Sequence, residues 1–142
     1  MTPERILLNV PCTDWEDALD KGAAPLLADK VIEESYVQAV KVNHREMPYM
    51  VIAKGIMLAH ARPECGAHKI GLTLMTLATP IEFGTELNEP VRLVITLATP
   101  DNKSHVKMLE ALTNFLMETE LLEKFLSATT VDEAIGILKG DN

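Results

Sequence analysis

Four short apolar runs with strand character constrain the fold of this chain more than any other feature. A short apolar run that is bounded by turn-forming residues is typical of a buried β-strand. Segments with helical spacing lie between and after these runs. We therefore predict an α/β protein with strands over Ile6–Val10, Ile56–Ala59, Leu72–Leu77 and Val91–Leu97.

The helices are predicted from capping motifs and apolar stripes. A Thr followed three residues later by a Glu has the spacing of a capping box, which predicts helices that start near Thr13 and Thr130. Helical spacing of apolar residues predicts three more helices, over Lys30–Val42, Lys103–Met117 and Leu121–Leu126.

The connection between the third and fourth predicted strands indicates a mixed sheet. Only a short polar stretch, residues 84–89, separates them, which favours an antiparallel pair. The strands and helices also do not alternate strictly, so a purely parallel sheet is not expected. The chain has 142 residues and no linker or low-complexity stretch, which predicts a single domain over residues 1–142.

Charge and composition argue against several partners and cofactors. The net charge is −8 and no cluster of Lys and Arg is present, so nucleic-acid binding is not expected. No apolar run approaches the ~20 residues that cross a bilayer, and no glycine-rich phosphate loop predicts a nucleotide cofactor. Cys12 and Cys65 form no CxxC pair and no export signal opens the chain, so we expect reduced thiols in the cytoplasm.

The segment from Gly55 to Gly66 carries the strongest functional signal. Its apolar strand delivers His60 to the strand's end, and a Pro and a Gly follow soon after. A neutral histidine nitrogen is a nucleophile near physiological pH, and Arg62 supplies a fixed positive charge suited to phosphate. The segment therefore predicts a site that accepts and passes on an anion. The alternative is a histidine that ends a strand and takes no part in chemistry.

A second histidine, His105, falls at the start of the long predicted helix. It shares a stripe with the apolar residues of that helix, so its ring is expected to face inward, and Asp101 or Ser104 could cap the helix. Next to His60 it would complete a site with two imidazoles. The alternative is a structural histidine near a helix end.

Arg45 lies in a polar segment that separates the predicted Lys30–Val42 helix from the His60 strand. Its guanidinium could reach a phosphate on His60 and bind two oxygens at once. The alternative is an ordinary surface arginine. His44 and His68 are predicted to be loop residues without a functional role.

Two rival sites involve Cys65. A thiol–imidazole pair with His60 would need more support than one cysteine in a glycine-flanked loop. His60, Cys65, His68 and His105 could together bind zinc, but their spacing matches no tight finger-type pattern. We predict no metal site.

The segment from Gly55 to Gly66, continued by Lys69-Ile70-Gly71-Leu72, resembles the active-site region of a known family. This family is the IIA component of the bacterial phosphoenolpyruvate-dependent sugar phosphotransferase system, in its mannitol/fructose type. The stretch Ala61-Arg62-Pro63-Glu64 is similar to the L-ascorbate branch. Further similarities are the Phe83-Gly84 turn, the Glu89-Pro90-Val91 strand entry, the Ser104-His105 helix start and the Leu-rich C-terminal helix.

The resemblance implies a mixed β-sheet flanked by helices on both sides. It also implies a phosphocarrier, which accepts a phosphoryl group from the phosphocarrier protein HPr and passes it to a cysteine of a IIB component. Association with the membrane transporter IIC would be indirect. The family's phosphorylated histidine corresponds to His60, its second active-site histidine to His105, and its arginine after the second helix to Arg45. The family usually has a proline where this chain has Ala59.

The resemblance leaves two functions open. One is sugar uptake, for which residues 61–64 indicate L-ascorbate. The other is a regulatory module of the same fold, which would report its phosphorylation state to a transporter or a transcription factor.

Overall fold

A five-stranded mixed sheet forms the centre of the protein in the computed structural model, which describes residues 5–46, 50–85 and 88–138. The strands are β1 (Ile6–Val10), β2 (Val51–Ala53), β3 (Ile56–Ala59), β4 (Gly71–Ile81) and β5 (Val91–Ala98). The helices are α1 (Trp15–Ala28), α2 (Glu34–Glu46), α3 (Asn102–Met117), α4 (Thr119–Leu126) and α5 (Val131–Leu138), and a short 3₁₀ turn covers Pro63–Cys65.

The sheet has the order β1-β4-β5-β3-β2. β4 is antiparallel to β5, as predicted from their short connection, whereas β1 and β3 run parallel to β4 and β5 respectively. The mixed sheet and the four predicted strands are confirmed. The edge strand β2 was not predicted, because its three residues are too few for a periodic pattern.

Each face of the sheet is covered by helices, so the predicted layers are also confirmed. Adjacent strand residues point to opposite faces. Met57 and Val94 therefore pack in the core under α1 and α2, and Leu58 and Ile95 pack in the core under α3, α4 and α5. In the part of the chain that the structure describes, no helix is both long and apolar enough to cross a membrane.

The second helix differs from the prediction of Lys30–Val42. Lys30 has a φ of 58°, a left-handed conformation that interrupts a helix, and Ile32 forms an isolated antiparallel bridge with Ala67. The helix therefore starts at Glu34 and continues to Glu46. The left-handed turn at Lys30 and the bridge from Ile32 to Ala67 cannot be deduced from the helical spacing of apolar residues.

This shift corrects the prediction that His44 is a loop residue. His44 lies in the last turn of α2 and is 3% exposed. Its Nε2 donates a hydrogen bond to the Phe83 carbonyl at 2.6 Å, and its ring lies 4.8 Å from that of Trp15. Arg45 likewise belongs to this helical turn and not to a polar break.

The two helix starts predicted from capping motifs are correct to within one residue. Asp14, not Thr13, caps α1, because its carboxylate accepts the Asp17 N–H at 2.8 Å. The Thr130 hydroxyl accepts the Glu133 N–H at 3.1 Å, as the capping motif predicts.

Candidate functional site

Parallel pairing of β3 with β5 creates the site. Ala59 is the register partner of Thr96, so both strands end at the same edge of the sheet. His60 follows β3 directly, and the chain leaving β5 soon enters α3. The rings of His60 and His105 consequently lie 5.8 Å apart between centroids, which is the two-imidazole arrangement that the sequence indicated.

The backbone sets the tautomer of His60. Its Nδ1 lies 3.0 Å from the Leu58 carbonyl oxygen. A carbonyl only accepts hydrogen bonds, so Nδ1 carries the proton of the neutral ring and donates it. The lone pair therefore resides on Nε2. His60 is half-buried, so this nitrogen can be reached from outside.

His105 lies in the first turn of α3 and is half-buried. Asp101 caps this helix, because its carboxylate accepts the Ser104 N–H at 2.7 Å. That hydrogen bond lowers the pKa of Asp101 and keeps its carboxylate ionised. Burial lowers the pKa of His105 below its ordinary value, and the nearby His60 lowers it further. The ring is therefore held in the neutral form over a wider pH range than a free histidine.

An open cleft of about 340 Å³ joins the two rings. The residues that line it contribute two imidazoles, two side-chain amides and one guanidinium, but no carboxylate. Such a lining offers hydrogen-bond donors and one positive charge to a small anion. The lining residues are Asn43, His60, Ala61, Arg62, Pro63, Asn102 and His105.

Two of these lining residues were missed in the sequence. Asn102 is the first residue of α3 and follows Asp101, so the predicted cap of that helix was a signal for it. Asn43 lies in the last turn of α2, which the predicted helix did not include. No local pattern indicates that this turn reaches the cleft.

Arg45 is engaged elsewhere in this structure. Its guanidinium pairs with Glu16 at 3.2 Å and lies over the Trp15 ring, 5.6 Å from the centroid. Arg45 is not among the described residues that line the cleft, whereas Arg62 is. The structure thus brings together two of the three predicted site residues, His60 and His105. The role predicted for Arg45 stays a prediction.

The rival sites gain no support from the geometry. Cys65 lies in the 3₁₀ turn and is not one of the cleft-lining residues among those described. His68 pairs with Glu33 at 3.0 Å on the surface. Within residues 5–46, 50–85 and 88–138, no group of three or more His, Cys, Asp and Glu side chains could hold a metal ion.

A buried hydroxyl fixes the chain just beyond His60. Tyr36, on α2, is 1% exposed. Its hydroxyl accepts the Ala61 N–H at 3.0 Å and donates to the Leu97 carbonyl at 2.7 Å. It therefore ties the loop after β3 to the end of β5. In the absence of a proline at Ala59, this contact and the His60–Leu58 hydrogen bond hold the strand end.

Comparison with known proteins gives a consistent result. Residues 1–140 match the family model described as "Phosphoenolpyruvate-dependent sugar phosphotransferase system, EIIA 2". The mannitol-specific cryptic phosphotransferase enzyme IIA component of Escherichia coli K12 is 38% identical over 88% of this chain and 85% of its own length. The ascorbate-specific EIIA component of the same organism is 32% identical over 96% of this chain and 90% of its own length. A solved complex of enzyme IIA mannitol with phosphorylated enzyme IIB mannitol, also from Escherichia coli, contains a chain with a TM-score of 0.86 and 26% identity, over 99% of this chain and 97% of that one.

We predict that Tyr36→Phe destabilises the protein and disturbs His60. The change removes the hydroxyl that accepts the buried Ala61 N–H and donates to the Leu97 carbonyl. A buried N–H left without its partner costs about 1–3 kcal/mol. Urea unfolding followed by circular dichroism measures the loss, and the ¹⁵N shifts of the His60 ring report its tautomer. The matched control is Ser35→Ala, whose exposed hydroxyl also bonds a carbonyl of this loop, that of Cys65. Equal losses in the two variants would contradict the role assigned to Tyr36.

We also predict that His105 titrates below the ordinary histidine pKa of 6.5. His60→Gln should raise the pKa of His105, because it removes the neighbouring imidazole. The pKa should not return fully to its ordinary value, since burial is the larger cause. Titration of the His105 ring protons by NMR measures both values. An unchanged pKa in His60→Gln would show that the two rings do not interact.

Proposed function

Because the chain belongs to the EIIA 2 family of the phosphoenolpyruvate-dependent sugar phosphotransferase system, we propose that it accepts a phosphoryl group on His60 from phospho-HPr. It then passes the group to a cysteine of a IIB component. Family membership establishes phosphoryl transfer in general. The single observation that supports His60 as the acceptor is its Nδ1 hydrogen bond to Leu58, which leaves the Nε2 lone pair free to attack.

In the proposed transfer, the Nε2 lone pair of His60 forms a bond to phosphorus. The bond from phosphorus to the donor's histidine breaks, and its electron pair returns to that donor nitrogen. The Nδ1 proton stays on His60 and keeps its contact with the Leu58 carbonyl during the attack. In the second half of the cycle a thiolate of the IIB component attacks phosphorus, and the bonding pair returns to Nε2. No cofactor or metal takes part.

His105 would support the phosphoryl group and not receive it. The lowered pKa of its ring favours the neutral form. One nitrogen of a neutral imidazole still carries a proton, which it can donate to a phosphoryl oxygen. Asn43 and Asn102 add amide donors to the same cleft. Phosphoryl transfer depends mainly on such positioning and charge stabilisation.

The two protein partners and the sugar are parts of the proposal. The complex of enzyme IIA mannitol with phosphorylated IIB supports a IIB acceptor. For the sugar we propose L-ascorbate, on the basis of residues 61–64 and the ascorbate-specific relative. The alternative sugar is mannitol, because the mannitol-specific cryptic relative has the higher sequence identity. The chain would act in the cytoplasm as one domain over residues 1–142 and would meet the transporter IIC only through IIB.

We expect incubation with phosphoenolpyruvate, enzyme I and HPr to add one acid-labile phosphate, which His60→Ala abolishes. The reason is that the hydrogen bond from Nδ1 to the Leu58 carbonyl leaves the Nε2 lone pair of His60 available for attack. Intact-mass measurement before and after acid treatment gives the stoichiometry. His68→Ala, which changes an exposed histidine outside the cleft, should label normally.

Labelling that persists in His60→Ala would refute the proposal, and subsequent transfer to an ascorbate or a mannitol IIB would identify the sugar. Transfer to neither would favour the regulatory module.

We expect His105→Ala to retain labelling at His60 but to slow it about hundred- to thousand-fold, because one donor to the phosphoryl oxygens is lost. Rapid-quench measurement of the phosphorylation rate tests this. The control is Asn114→Ala, which alters an exposed residue farther along α3 that does not line the cleft. A rate equal to that of the unaltered protein would remove His105 from the mechanism.

A further inference from the structure

We propose that Arg62 is a catalytic residue whose guanidinium binds the phosphoryl oxygens while the group moves to and from His60. The inference rests on the proposed function and extends it to the charge that the transfer requires. A phosphoryl group carries negative charge on its three outer oxygens. The two amides of the cleft carry no charge that could neutralise it, and Arg62 is the residue of the lining whose side chain is always positively charged.

Arg62 supplies the positive charge of the cleft lining. It is the single cationic side chain among the described residues that line the cleft. In the same part of the chain its guanidinium has no ion-pair partner, because the ion pairs found there involve other residues. Arg45, in contrast, would have to leave Glu16 and the face of Trp15 before it could bind phosphate.

The backbone of Arg62 is held on both sides. Pro63 follows it and restricts it to an extended conformation, and its φ and ψ are −68° and 145°. Its carbonyl accepts the Cys65 N–H at 3.0 Å, which anchors it to the 3₁₀ turn. On its other side, Ala61 is tied to the Tyr36 hydroxyl. The guanidinium thus moves on a fixed base next to His60.

A guanidinium in this place suits a reversible transfer. Its planar fork can bind two phosphoryl oxygens at once, whereas a lysine ammonium acts as a point charge. Because Arg62 is exposed at the rim of the cleft, it can follow the group as the donor leaves and the acceptor arrives. When Nε2 attacks and the bond to the donor breaks, the guanidinium would offset the charge on the oxygens throughout.

The test compares Arg62→Gln and Arg62→Lys with Arg92→Gln. Arg92 is the matched control, an exposed arginine that pairs with Glu123 and does not line the cleft. Each variant is phosphorylated by phospho-HPr and, separately, by phosphoramidate, a small donor that needs no protein docking. We expect Arg62→Gln to be slower about hundred- to thousand-fold with both donors, the scale on which removal of one preorganised donor acts. The phosphorylation rate of Arg62→Lys should lie between that of Arg62→Gln and that of the unaltered protein. The rate of Arg92→Gln should equal that of the unaltered protein.

The outcomes separate the inference from the proposed function. If Arg62→Gln is slow with phospho-HPr alone, Arg62 serves docking and the inference is wrong. The inference is also wrong if Arg62→Gln is phosphorylated at the normal rate by both donors. It is equally wrong if Arg45→Gln is slow and Arg62→Gln is not. In each of these cases the unaltered protein still labels at His60. If the unaltered protein does not label at His60 at all, the proposed function itself fails.

Discussion

The parallel pairing of β3 with β5 is the interaction on which the candidate site depends. It places the end of β3, and hence His60, at the same sheet edge as the chain that enters α3. Residues 45 positions apart in the sequence thereby become neighbours, with ring centroids 5.8 Å apart. A register slip of one residue in β3 would turn His60 to the other face of the sheet and separate it from His105. The two apolar cores, which bury opposite faces of these strands, oppose such a slip.

The sequence predicts the elements that carry their own pattern. The apolar run of β3 and the Asp101 cap of α3 are local features, so His60 and His105 could both be placed at the ends of elements. The end of α2 is different, because its position depends on the left-handed Lys30 and on the bridge from Ile32 to Ala67. Neither can be deduced from helical spacing. For that reason Asn43 was missed and the surroundings of Arg45 were misjudged.

The sequence also does not show which of two arginines is available to bind a phosphate. Sequence position suggests that both Arg45 and Arg62 could reach a phosphate on His60. The structure distinguishes them through the partners that Arg45 finds on α1, Glu16 and the ring of Trp15. An exposed ion pair of this kind is weak, typically below about 1 kcal/mol, so it does not forbid a movement of Arg45. It does make Arg62, which needs no such movement, the simpler source of positive charge.

Ala59 changes how the strand end is held. A proline would fix its own φ and fill more space than alanine. Here a small void of about 10 Å³ lies beside the strand, and Ala59, Thr96 and Tyr36 are among the residues around it. Packing at position 59 therefore contributes less rigidity than a proline ring would, and the Tyr36 hydroxyl takes on more of the positioning. A relay histidine has to remain open to two successive protein partners, so it cannot be fixed by enclosure. Hydrogen bonds from behind, by Tyr36 to Ala61 and by His60 to Leu58, position the ring and leave its outer nitrogen accessible.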